Sequence, residues 1–212
     1  MGDNIYTYGV IRQEDIEIET TGVGGAEQIY TVDYRTISAV VSDIDTTDPE
    51  RTDEDVQAHN DVLREVMEYD GGRTVVPMSF GMAFKNKRAL KRVLRGARAA
   101  LRKALNDVEG KVELGVKIIS ASEQTVSSEN IKSDVTAQLS ELSVNETEND
   151  LFSDRLLINK SYLVERDRRS AFDDTIDDIE AQYGDEVTVK YTGPWAPYNF
   201  LDIHIGAEQQ RG

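Results

Sequence analysis

The chain has no cysteine, one tryptophan, two histidines and four prolines in 212 residues. Without cysteine there are no disulfides, no thiolate zinc sites and no thiol redox chemistry. His59 and His204 are far apart, and neither has a second ligand type at metal-binding spacing, so no metal site is expected. No apolar run reaches the roughly 18 residues that a membrane-spanning helix requires. The N-terminal MGDNIYTYGV has no basic segment followed by an apolar stretch, so no signal peptide is expected and the anticipated location is cytoplasmic. Gly22-Val23-Gly24-Gly25 has the wrong spacing for a dinucleotide loop and opens no helix. No histidine or cysteine stands beside a candidate nucleophile. No catalytic residue, no cofactor and no enzyme activity are therefore expected.

Positive charge is also scarce. Asp and Glu number 40 against 24 Lys and Arg, a formal charge of −16. Self-repulsion at that charge loosens a compact chain at low salt, and screening relieves it, which points to a salt-rich cytoplasm. The thermal midpoint is expected to rise from low to multimolar KCl. A flat midpoint across that range would remove the halophilic reading.

The scarce cations are also clustered. Nine of the 24 fall within residues 85–103: Lys85, Lys87, Arg88, Lys91, Arg92, Arg95, Arg98, Arg102 and Lys103, with no acid among them. In the same stretch Leu90, Leu94, Ala97, Leu101, Leu105 and Val108 recur every three or four residues, which predicts a long amphipathic helix over 85–108 ended by Gly110. Lys91, Arg95, Arg98 and Arg102 form a row, each one position after a stripe residue. That puts them at the margin of the buried face. Three readings of this helix stand side by side. It can pair with the protein's own acids, such as the Asp-rich stretch 173–180. It can present its cations to an acidic partner. Or it can bind nucleic acid, which the overall negative field opposes.

The rest of the chain alternates strands and helices. Ile5–Ile11 predicts a strand, and Gln28–Val32 with Thr36–Ser42 predicts a hairpin. A helix is expected from about Thr52, with Thr52 and Asp55 in capping-box spacing, ending at Gly71-Gly72. A short buried strand, 74–76, runs into Pro77. In Lys111–Ile119 the alternation of Val112, Leu114, Val116 and Ile118 predicts a half-buried strand. Ile131, Val135, Leu139 and Leu142 predict a helix capped by Ser127 or Ser128. Residues 143–154 are polar and acidic and predict a mobile loop. A buried strand follows at 155–165, then a helix opened by Ser170, with Asp173 in capping-box spacing. Its stripe is Phe172, Ile176, Ile179 and Tyr183. Its outer face, Asp173, Asp174, Asp177, Asp178 and Glu180, reads as a solvated surface. Strands at 187–192 and 199–205 flank Gly193–Pro197, a stretch expected to lie outside the ladder and to carry Trp195. Trp195 there is either a core plug or a ring presented to a partner.

The fold class expected is α+β in two domains. Residues 1–110 form a modified ferredoxin-like domain with the basic helix, 111–206 a ferredoxin-like domain, and 207–212 a flexible tail.

Four segments in order, YTYGV at 6–10, VVPMSFGMAF at 75–84, ELGVKI at 113–118 and GPWAPYNF at 193–200, resemble the gas vesicle protein F/L family (GvpF/GvpL), in a haloarchaeal-like form. The resemblance spans nearly the whole chain. It implies two α+β domains and an accessory or minor structural protein of gas vesicle assembly. It also implies that the chain binds the hydrophobic shell protein GvpA and other accessory gas vesicle proteins, limits shell-protein aggregation and helps start vesicle formation. Neither nucleic acid nor membrane is an expected partner. The candidate partner-binding residues are Lys91, Arg95, Arg98, Arg102 and Trp195. The alternative reading is a small enzyme with a pocket around Met78, Phe80, Met82 and Trp195.

Overall fold

A computed structural model describes residues 4–121 and 126–201. By contacts the chain divides into two compact units, residues 1–109 with the C-terminal segment from Leu201, and Gly110–Phe200.

The first unit is an antiparallel sheet of β1 (Ile5–Arg12), β2 (Glu17–Glu19), β3 (Gln28–Tyr34), β4 (Ile37–Asp43), β5 (Val76–Pro77) and β6 (Ala83–Phe84). The order is β2-β3-β4-β1-β5, and β6 also pairs with β1. The expected hairpin is β3–β4, turning at Arg35, whose φ of 58° is left-handed. β2 and β6 were not anticipated: both are short, and each forms because a longer neighbour offers an unpaired edge.

Helix α1 (Asp53–Glu68) begins where expected. The Thr52 side chain accepts the Asp55 amide at 3.1 Å. The Asp55 carboxylate does not close the box; it accepts the Gly24 amide at 2.8 Å. The Val23 amide donates to the Tyr8 hydroxyl at 3.0 Å, so two amides of the Gly-rich turn are already engaged within the protein. Helix α2 (Lys87–Asp107) is the basic helix.

The two helices cover opposite faces of the sheet. β1 sends Ile5 and Val10, which lie on either side of a register shift between Thr7 and Gly9, into the core that holds Leu90, Leu94 and Leu101 of α2. It sends Tyr6 the other way, to His59 of α1. Gly9 lies on the α1 face, where a Cβ would come within 2.9 Å of the Val76 carbonyl and 3.0 Å of Leu63. The modification of the ferredoxin-like layout is visible here: hairpins replace the first crossover helix, and the helices flank the sheet from both sides.

The second unit is a ferredoxin-like fold. Its elements run β7 (Lys111–Ser120), α3 (Val126–Ser140), β8 (Asn145–Glu148), β9 (Leu156–Glu165), α4 (Arg169–Tyr183) and β10 (Val187–Trp195), with sheet order β10-β7-β9-β8, antiparallel throughout. Val112, Leu114, Val116 and Ile118 are buried, as their alternation predicts. Three local expectations need correction. Residues 145–148 are an edge strand, where a mobile loop was expected. They add to the free edge of β9, and buried Lys160 pairs with Glu146 at 3.0 Å and Glu148 at 3.5 Å across that edge. Helix α4 starts at Arg169 after a 3-10 turn, with no side-chain cap, so Ser170 lies inside it; Asp173 instead accepts the Tyr191 hydroxyl at 2.5 Å. Helix α3 begins at Val126, so Ser127 and Ser128 fall in its first turn and not at its cap.

The expected strand 199–205, with His204, and the tail 207–212 lie outside the described residues, apart from Tyr198–Phe200 in a 3-10 turn and Leu201, which packs against the first unit's core.

Candidate interaction face on the basic helix

Helix α2 forms for local reasons and is held by tertiary ones. Asn86 caps it, accepting the Ala89 amide at 2.9 Å. Leu90, Leu94, Leu101 and Leu105 are buried, and Ala97 is partly so. They pack on Val32, Ile37, Ala39, Val41, Met78 and Phe84. The predicted stripe is thus the buried face.

The cations lie on the remaining surface. Lys91, Arg95 and Arg102 are exposed, and Arg98 is half-buried at the margin. Of the nine basic residues from Lys85 to Lys103, only Lys103 makes an ion pair among the described residues, with Asp107 at 2.5 Å. The other eight have no carboxylate within salt-bridge distance among the described residues. Some cations elsewhere in the chain are paired. Arg73 meets Glu14 at 2.5 Å, Arg12 meets Glu109 at 2.9 Å and Lys160 bridges two glutamates. Charge placement on α2 also runs against its dipole. No acid stands in the first turn and no base in the last, whereas α1 opens with Asp53, Glu54 and Asp55. The positive end of α2 therefore adds to Lys87 and Arg88.

A groove of about 610 Å³ runs along this surface, between Tyr34 at the end of β3 and the side chains of Lys85, Arg88, Lys91, Arg92 and Arg95. Sequence reasoning singled out only Lys91 and Arg95 of these. The others could have been found from helical geometry: Arg88 stands three and four residues before Lys91 and Arg92, and Arg95 four and three after them, so the four share one side of the helix. A second cleft, of about 770 Å³, lies beside Tyr30, with Lys87 Nζ 4.9 Å from that ring and the Tyr30 hydroxyl donating to Asp43 at 2.7 Å.

Trp195 belongs to the other unit. It is neither a core plug nor a free ring. It is half-buried on edge strand β10, opposite Glu113, and its Nε1 donates to Thr192 Oγ1 at 3.3 Å. The ladder continues past an irregularity at Gly193-Pro194 to Trp195, so the expected break outside the ladder is corrected to an interrupted strand. Proline is tolerated there because β10 is an edge. Buried Glu113 then holds the following turn, accepting the Asn199 amide at 3.0 Å and its side-chain NH₂ at 2.5 Å.

Three residues of the alternative enzyme reading lie in the first unit and do not all face one way. Met78 and Met82 pack into the α2 side of the first sheet. Phe80 packs on the α1 side, 5.9 Å from the rings of Tyr6 and His59.

The gas vesicle synthesis protein family GvpL/GvpF matches this chain over residues 4–134 and 123–202. The chain belongs to that family. It is 76% identical over 212 residues to Gas vesicle protein F of Haloferax mediterranei, covering all of both chains. It is 69% identical over 212 residues to Gas vesicle protein F1 of Halobacterium salinarum, covering all of this chain and 99% of the other. The fold matches the crystal structure of the gas vesicle protein GvpF from Anabaena, with a TM-score of 0.81 at 18% identity, over 95% of this chain and 99% of that one. The Haloferax and Halobacterium relatives agree with the resemblance carried by the four sequence segments and with its haloarchaeal-like form. Among the described residues no helix is long and apolar enough to cross a membrane.

Proposed function

We propose that this gas vesicle protein is an accessory or minor structural component of vesicle assembly, acting in the cytoplasm and at the gas vesicle. It binds the hydrophobic shell protein GvpA together with other accessory proteins, keeps GvpA from aggregating and helps start vesicle formation. It does so without catalysis. The observation that carries this reading is the row on α2, exposed at Lys91, Arg95 and Arg102 and without a carboxylate partner among the described residues. Eight cations without a carboxylate partner among the described residues repel one another, and a chain of charge −16 would hold them apart from its acids at no benefit unless something else compensates them. Lys91, Arg95, Arg98 and Arg102 are the residues assigned to the partner, with half-buried Trp195 as a separate contact. In this reading the first unit, which holds α2, carries the partner face.

Reversing Arg95 and Arg98 together (Arg95→Glu, Arg98→Glu) tests it. Circular dichroism should show an intact fold, because neither side chain is buried or ion-paired among the described residues. Capture of tagged GvpA should fall at least tenfold, and suppression of GvpA aggregation should fall with it. Normal capture with a normal fold would take α2 out of the interface. A lost fold would show that the chain's own acids were the compensating partner.

A further inference from the structure

We propose that the groove between Tyr34 and the N-terminal half of α2 is a binding site for a short carboxylate-rich peptide segment. Five cations converge on it, from Lys85, Arg88, Lys91, Arg92 and Arg95, and no acid lines it. None of the five has an ion-pair partner among the described residues. The positive end of the α2 dipole lies at the same end of the helix, where acids would normally be placed. Cavity shape, side-chain charge and backbone field thus favour the same sign of ligand.

Size and donor type narrow the ligand further. From Arg88 to Arg95 the helix rises roughly 10 Å, the length of about three extended residues or two helical turns. That span exceeds what a single small anion needs and suits two or three carboxylates on adjacent residues. Arg88, Arg92 and Arg95 each present a planar fork that takes a carboxylate through two parallel hydrogen bonds. Such contacts weaken with salt less than those of point charges that keep their hydration. Nucleic acid fits less well. A single tyrosine is no stacking platform for successive bases, and the −16 field of the molecule repels a polyphosphate chain.

The inference deepens the reading of α2 as a partner face, since it names the chemistry of the partner's contacting segment. It also enlists Lys85, Arg88 and Arg92, outside the row assigned there. The two are separable by experiment. Binding of a fluorescein-labelled octaglutamate peptide to the full chain would be followed by fluorescence anisotropy in 1 M KCl. An octaglutamine peptide and a single-stranded DNA octamer serve as comparisons. Octaglutamate should bind and octaglutamine should not. Arg88→Gln with Arg92→Gln should weaken octaglutamate at least tenfold. Arg98→Gln with Arg102→Gln, both outside the groove, should change it less than threefold. Circular dichroism should be the same for all variants.

Absence of octaglutamate binding would overturn the proposal. So would equal weakening by both double variants, which would mean diffuse attraction and no site. DNA bound more tightly than octaglutamate through Arg88 and Arg92 would replace it with a nucleic-acid site. If octaglutamate fails while the Arg95 and Arg98 reversal still abolishes GvpA capture, the groove assignment alone falls. If octaglutamate binds the groove but GvpA is not captured, the site stands and the shell-protein reading falls.

Discussion

Leu94→Ala is expected to lower the unfolding free energy of the first unit by about 2–5 kcal/mol, a large share of the stability of a small domain. Leu94 is fully buried in the core that includes Ile5, Ile37, Val41 and Phe84. Truncation removes three carbons, about 0.8 kcal/mol each in transfer, and leaves a cavity that the flanking strands can only partly close. Arg95, its neighbour in sequence, is exposed and unpaired among the described residues, so Arg95→Ala should stay within about 0.5 kcal/mol. Urea unfolding of both variants at one KCl concentration, followed by circular dichroism, makes the comparison. Similar losses would contradict the sidedness of α2, and with it the assignment of its cations to a partner.

A second large effect should come from acid. His59 is buried against Tyr6, Tyr8 and Phe80, and its Nδ1 lies 2.8 Å from the Tyr6 hydroxyl. Burial holds its pKa down at about 4; a backbone hydrogen bond involving Met78 opposes this, and the nearby charge of Arg51 adds to it. Its ordinary value is 6.5, so the unfolded chain takes up the proton first as pH falls. The stability that neutral His59 contributes is complete above pH 6.5 and is lost as pH drops through 4. The full loss is about 3 kcal/mol. Carboxylates titrate in the same window, so the comparison is with His59→Gln, which keeps a polar side chain beside Tyr6 but does not titrate there. Urea unfolding at pH 7.5 and pH 4 should show a drop for the native chain larger than that for the variant by about 3 kcal/mol. Equal drops would place the acid sensitivity elsewhere.

Much of the fold was legible because secondary structure writes its burial into local periodicity. The three- and four-residue recurrence of Leu90, Leu94, Leu101 and Leu105 required one apolar face, and the α2 core uses it. The two-residue alternation from Val112 to Ile118 required a half-buried strand, and β7 is that strand. Thr52 capped α1 as its spacing with Asp55 indicated. The row from Lys91 to Arg102 was readable for the same reason, since its position relative to the stripe follows from helical geometry alone. The four family segments pointed to GvpL/GvpF from local identity, with no knowledge of packing.

What the sequence by itself determined, then, is which faces of its regular elements are apolar, where the cations cluster, and which family the chain belongs to. The tertiary structure decided everything that depends on a distant partner. Asn145–Glu148 has no strand periodicity; it pairs because β9 leaves an edge open and Lys160 holds its two glutamates. Pro194 does not end β10, because an outer edge has no neighbour whose hydrogen bonds it would break. Met78 and Phe80 are two residues apart and yet part company, since the short, irregular stretch between β5 and β6 does not hold a strand's alternation. The groove at Arg88 exists only because the β3 end brings Tyr34 against α2. Such features arise from contacts between residues far apart in the chain, and local periodicity carries no record of them.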